Sequence, residues 1–95
     1  GVLCVLCDGL GGHGKGEVAS RFVVEEMIES VCNKGVNVEH AIVSTQENLL
    51  KKQERENAQS SMKTTLTCLY IEQEYITLRA EKLRTEPLTT VFLSY

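Results

Sequence analysis

The first apolar run, Val2 to Cys7, contains no polar side chain and stops abruptly at Asp8. Such an unbroken run predicts a strand covered on both faces rather than one with a wet side. The period then changes. Ala19, Phe22, Val23, Met27 and Val31 recur at helical spacing, with Val24 and Ile28 widening the stripe. This predicts a helix from near Glu17, whose charge suits a helix N-terminus, to a stop at Asn33-Lys34-Gly35. A second helix is expected from Val38 to Lys52 or beyond, with Asn37 as its N-cap. Val38, Ala41, Ile42, Thr45 and Leu49 mark its inner face, and Lys51 to Asn57 is a solvated polar end.

After a short linker, Ala58 to Ser61, the stretch from Met62 to Ile71 is rich in β-branched and aromatic residues and reads as a strand. Glu72-Gln73-Glu74 marks a hairpin turn, and Tyr75 to Leu78 the returning strand. From Arg79 the pattern weakens. Ala80 to Glu86 reads as weak helix, Pro87 interrupts it, and Leu88 to Tyr95 is a further strand candidate. The element order is strand, helix, helix, strand, strand, which is an α+β arrangement of a sheet and a helical layer.

At 95 residues the chain has room for one small domain. With 42% apolar and 24% charged residues it reads as globular, with a core of Val, Leu and Ile. The net charge is -3 and there is no basic run, which argues against nucleic acid as a partner. No apolar stretch approaches the roughly 20 residues of a membrane span. The opening run lacks the charged start and cleavage pattern of a signal peptide. A start without Met leads us to expect a chain that begins inside a longer protein or was trimmed. The expected setting is cytoplasmic, with Cys4, Cys7, Cys32 and Cys68 as reduced thiols. Cys4 and Cys7 form a C-x-x-C, which zinc or redox chemistry could use. On a strand, however, those positions point to opposite faces, and no second pair follows, so buried apolar thiols are expected.

The informative segment is an acidic residue closing a strand, followed by Gly9-Leu10-Gly11-Gly12-His13-Gly14-Lys15-Gly16 and then a helix. Three chemistries could use it. A P-loop needs Ser or Thr after Gly14-Lys15, and Gly16 stands there. A dinucleotide fingerprint matches at Gly9, Gly11 and Gly14, but it requires a second parallel strand where a second helix is expected. A metal site at the strand end would use Asp8 as a hard carboxylate for Mg²⁺ or Mn²⁺, with a backbone carbonyl reaching the same ion. One carboxylate cannot hold a catalytic ion alone. His13, Lys15 and His40 read as solvated side chains, Glu17 as a helix-start residue, and Met62, Thr64, Phe22 and Met27 as packing residues.

The run from Asp8 to Ser20 resembles the signature of the PP2C-type metal-dependent Ser/Thr protein phosphatases, D-G-M-G-G-x-x-x-G-E-x-A-S in bacterial-type members. Asp8, Gly9, Gly11, Gly12, Gly16, Glu17, Ala19 and Ser20 match, and Leu10 replaces Met, a swap of similar volume. Met62-Lys63-Thr64-Thr65 stands where the family has M-G-[TS]-T, with Lys63 in place of Gly. The resemblance covers residues 1–78. Arg79-Ala80-Glu81-Lys82 does not match the G-D-S-R expected next, so 79–95 is read as a divergent tail. The resemblance implies part of a β-sandwich flanked by helices, a phosphoprotein substrate, and two Mg²⁺ or Mn²⁺ ions in the complete site. It further implies that the Asp8 carboxylate bridges the ions, that the Gly9 carbonyl binds one, and that a water between them attacks phosphorus. No catalytic side chain is assigned. The competing expectations are a non-catalytic regulatory or interaction module on the same scaffold, and a P-loop-like nucleotide-binding domain.

Overall fold

The computed structural model describes residues 1–10, 14–58, 61–71, 76–83 and 90–94, the last two segments by backbone alone. β1 (Val2–Leu6) and β2 (Gly9–Leu10) both pair antiparallel with β3 (Lys63–Ile71), Leu6 opposite Thr67 and Gly9 opposite Thr64. The two short strands therefore share one register and form a single strand interrupted at Cys7 and Asp8. β4 (Ile76–Leu83) pairs with β3, and β5 (Thr90–Ser94) with β4, giving the order β1-β3-β4-β5 with β2 also beside β3. Between β2 and β3 run α1 (Lys15–Ile28) and α2 (Val38–Arg55). The α+β layout and its order are those expected from the sequence.

Both helices cover the same side of the sheet. Ala19, Val23 and Met27 of α1 and Ala41, Ile42 and Leu49 of α2 form one core with Met62, Leu66 and Cys68. Leu3, Val5, Cys7 and Tyr70 pack against it. Truncating Leu66, which is fully buried, is expected to cost about 2–5 kcal/mol. Urea unfolding of Leu66→Ala checks this. The other face of β1 is open: Leu6 is 71% exposed and Val2 56%, and Cys4 is also exposed. The expectation of a strand covered on both faces is thus corrected, because an apolar run does not reveal which side the helices take. The expectation of buried thiols at Cys4 and Cys7 holds only in part: Cys7 is half-buried, but Cys4 is exposed.

α1 starts at Lys15, two residues before the expected Glu17, after Gly14 in the left-handed region at φ 75°. Its buried stripe is narrower than the sequence suggests. Val24 and Phe22 are half-buried, Phe22 lying under Lys52 Nζ at 5.6 Å, and Ile28 is exposed. The helix closes in a π-helical turn, Glu29–Asn33, ahead of Gly35 at φ 68°. α2 is capped as expected: Asn37 Oδ1 accepts from the His40 N–H at 2.8 Å. Asn37→Ala should lower stability by about 1 kcal/mol, read from the urea midpoint. The inner face of α2 continues past Leu49 to Gln53, which is fully buried and donates through Nε2 to the Met62 carbonyl.

Two expectations for the second half need comment. Of the stretch Ala80 to Glu86 read as weak helix, residues 80–83 are strand, since β4 runs to Leu83 with Ala80 opposite Thr67 and Leu83 opposite Thr64, and 84–86 lie outside the described residues. Pairing along β3 overrides a weak local helical preference. The boundary drawn after Leu78 falls inside this strand. The turn at 72–74 and Pro87 lie outside the described residues. β5 lies within the segment read as a further strand candidate.

Candidate metal centre

Asp8 occupies the break between β1 and β2, exposed at the end of the open face. Opposite it, Thr65 donates its N–H to the Asp8 carbonyl at 3.0 Å. The Asp8 N–H in turn donates to Thr65 Oγ1 at 3.1 Å. Because the Asp8 carbonyl faces β3, alternation along the strand turns the Gly9 carbonyl away from β3 toward the outer edge. A carboxylate and an outward-facing carbonyl, both hard oxygen donors, thus stand on adjacent residues.

α1 seats this segment from the other side. A Cβ on Gly9 would lie 2.1 Å from the Gly16 carbonyl oxygen, and a Cβ on Gly16 would lie 2.7 Å from the Leu10 nitrogen. Two of the signature glycines, Gly9 and Gly16, therefore have a packing role not expected from the sequence: strand and helix backbones touch there.

The remaining candidates divide. Lys15 pairs with Glu56 at 3.4 Å, and Lys52 holds the same carboxylate at 2.6 Å. That hydrogen bond from Lys52, with help from Lys15, holds the Glu56 carboxyl below its ordinary range. Glu17 is exposed and pairs with Arg21 at 3.5 Å, and His40 is exposed. Met62 and Thr64 are buried packing residues, as expected. Lys63, opposite Leu10, is accommodated in β3 half-buried. Gly11, Gly12 and His13 lie outside the described residues. A groove of about 380 Å³ lined by Glu17, Arg21, Phe22 and Lys52 does not include Asp8.

Cys7, next to Asp8, is half-buried, and burial pushes its thiol from 9.0 up to about 11, against a lowering hydrogen bond from Thr64 and with a further rise from Cys68. The folded state then holds this proton more tightly than the unfolded chain. Its contribution is intact below about pH 9 and is lost as pH rises toward 11. Cys7→Ala should therefore flatten the alkaline fall in stability, measured as urea midpoints between pH 8 and pH 10.5.

Asp8 and Gly9 fit as two donors to Mg²⁺ or Mn²⁺, which takes oxygen ligands. They are only part of a set. Among the described residues no group of three or more His, Cys, Asp or Glu side chains could hold an ion. The nucleotide-binding expectations fail on topology. Every described strand pairing is antiparallel, whereas a dinucleotide or P-loop fold places its glycine loop in a parallel sheet. Among the described residues no helix is long and apolar enough to cross a membrane.

No family model matches the sequence, and no curated protein matches it. Solved structures do. The Mycobacterium tuberculosis serine/threonine phosphatase PstP/Ppp aligns with a TM-score of 0.66 at 26% identity, over 94% of this chain and 43% of that one. The catalytic domain of serine/threonine protein phosphatase PstP in complex with two manganese ions aligns with a TM-score of 0.69 at 26% identity, over 94% and 44%. The chain thus spans less than half the length of these neighbours. With the Asp8-to-Ser20 signature at the strand-to-helix junction, the chain carries part of the PP2C-type serine/threonine protein phosphatase fold.

Proposed function

We propose that this chain contributes Asp8 and Gly9 to a divalent-metal centre that dephosphorylates phosphoserine and phosphothreonine in proteins. The observation that carries the reading is the pairing of an exposed carboxylate with an outward carbonyl at the end of β1, on a fold shared with a manganese-bound phosphatase domain. When bound, the metal would neutralise phosphoryl charge and activate water. The chain's own part is to hold hard oxygen donors at fixed separation: Asp8 has a short stem, β3 grips its backbone, and α1 presses on Gly9. Further carboxylates must complete the set. A phosphoprotein partner and a cytoplasmic setting belong to the same reading.

A second reading, a non-catalytic interaction module on the same scaffold, is favoured by the absence of a three-ligand group among the described residues. Titrating Mn²⁺ by calorimetry, with p-nitrophenyl phosphate turnover in the same samples, separates the two. Saturable binding that depends on Asp8 supports the metal centre. A folded chain with neither binding nor turnover supports the interaction module.

A further inference from the structure

The ladder between β1–β2 and β3 is irregular at one rung. Asp8 and Thr65 stand opposite each other, where a regular antiparallel pair exchanges two backbone hydrogen bonds. Only one is made, from the Thr65 N–H to the Asp8 carbonyl at 3.0 Å. The Asp8 N–H goes to the Thr65 hydroxyl at 3.1 Å instead. The Thr65 carbonyl it would have used accepts from Thr64 Oγ1 at 2.8 Å. The Thr65 hydroxyl also lies 3.4 Å from the Asp8 carbonyl oxygen. Both main-chain polar groups of Asp8 are therefore held by one residue, and one of the two contacts is a side chain.

We propose that Thr65 is a positioning residue for Asp8, its hydroxyl replacing the missing backbone rung and so setting where the Asp8 carboxylate stands. This rests on the metal-centre reading above. The physical argument is short. An Asp side chain has two rotatable bonds, so its carboxylate follows its backbone closely. A carbonyl acceptor on β3 would draw the Asp8 amide into the regular ladder. A hydroxyl acceptor, projecting from β3, leaves the strand interrupted at Asp8 and lets it resume at Gly9, where α1 presses on it. The device needs a hydroxyl at residue 65. Valine keeps the shape and β-branching but leaves a donor without a partner. Serine keeps the acceptor.

The test combines Mn²⁺ calorimetry with residue-resolved amide exchange of the metal-free chain, for Thr65→Val and Thr65→Ser. Thr65→Val should weaken Mn²⁺ binding about tenfold, as loss of an outer partner to a ligand does. It should also speed exchange of the Asp8 amide about tenfold or more, with the amide of buried Leu66 unchanged. Thr65→Ser should stay near the wild type in both. If Thr65→Val binds Mn²⁺ like the wild type while Asp8→Asn does not bind, Thr65 has no positioning role and the metal centre stands. If Thr65→Ser is as weak as Thr65→Val, the methyl group rather than the hydroxyl matters, and the proposal is overturned. A folded wild type that binds no Mn²⁺ removes the metal centre and the positioning role together.

Discussion

Asp8→Asn is expected to weaken Mn²⁺ binding by at least about 100-fold, roughly 2.7 kcal/mol, while leaving the fold intact. The amide is nearly the same shape as the carboxylate, so the backbone hydrogen bonds to Thr65 remain available. What disappears is the negative charge. A divalent ion held by oxygen donors draws most of its attraction from ionised carboxylates, and a neutral carbonyl oxygen cannot replace one. Asp8 is exposed, so the substitution buries nothing new, and the stability change should stay within about 0.5 kcal/mol. Calorimetry gives the affinity and thermal melting the stability. An Asn variant with wild-type affinity would sink the assignment of Asp8.

The second large effect is on stability. Gly9→Ala would place a methyl carbon 2.1 Å from the Gly16 carbonyl oxygen and 2.3 Å from its carbonyl carbon. Both are backbone atoms of the first turn of α1, so no side chain can rotate away. The helix must lift off the strand, opening the core at Ala19 and Val23. Ordinary overpacking costs about 1–3 kcal/mol, and this case should reach or exceed the upper end. For a chain of this size that is a fall in Tm of about 12 °C or more. Gly16→Ala should be milder, since its contacts with the Gly9–Leu10 peptide begin at 2.7 Å. Gly14→Ala meets no atom within 4 Å and carries only the strain of its φ of 75°, about 1 kcal/mol. Thermal melts of the three variants should therefore rank Gly9 worst and Gly14 mildest. A Gly9→Ala protein melting like the wild type would mean that α1 does not sit on β2 as described.

Much of the fold was legible along the chain. The stripe of Ala19, Val23, Met27 and Val31 and the cap at Asn37 lie where their periods and side-chain chemistry put them, because each depends on neighbours within a few residues. The signature from Asp8 to Ser20 was legible for the same reason: an acidic residue at a strand end, a run of glycines and a helix start are contiguous in the sequence. The misreadings share a cause. The open face of β1, the exposed Cys4, the strand through Ala80 and the contact of Gly9 with Gly16 all depend on what lies across space.

Sequence alone therefore located α1, α2, β1 and β3, and singled out Asp8 and Gly9 as candidate oxygen donors to a metal. Local periodicity and residue chemistry suffice for these. Tertiary structure decided which side of β1 is covered, since a continuous apolar run presents the same chemistry on both faces. It decided that Gly9 and Gly16 form a backbone interlock, since that requires the first turn of α1 to lie on β2. It also decided that Thr65 grips Asp8, because a hydroxyl 57 positions away becomes a hydrogen-bond partner only after β3 pairs back across the sheet.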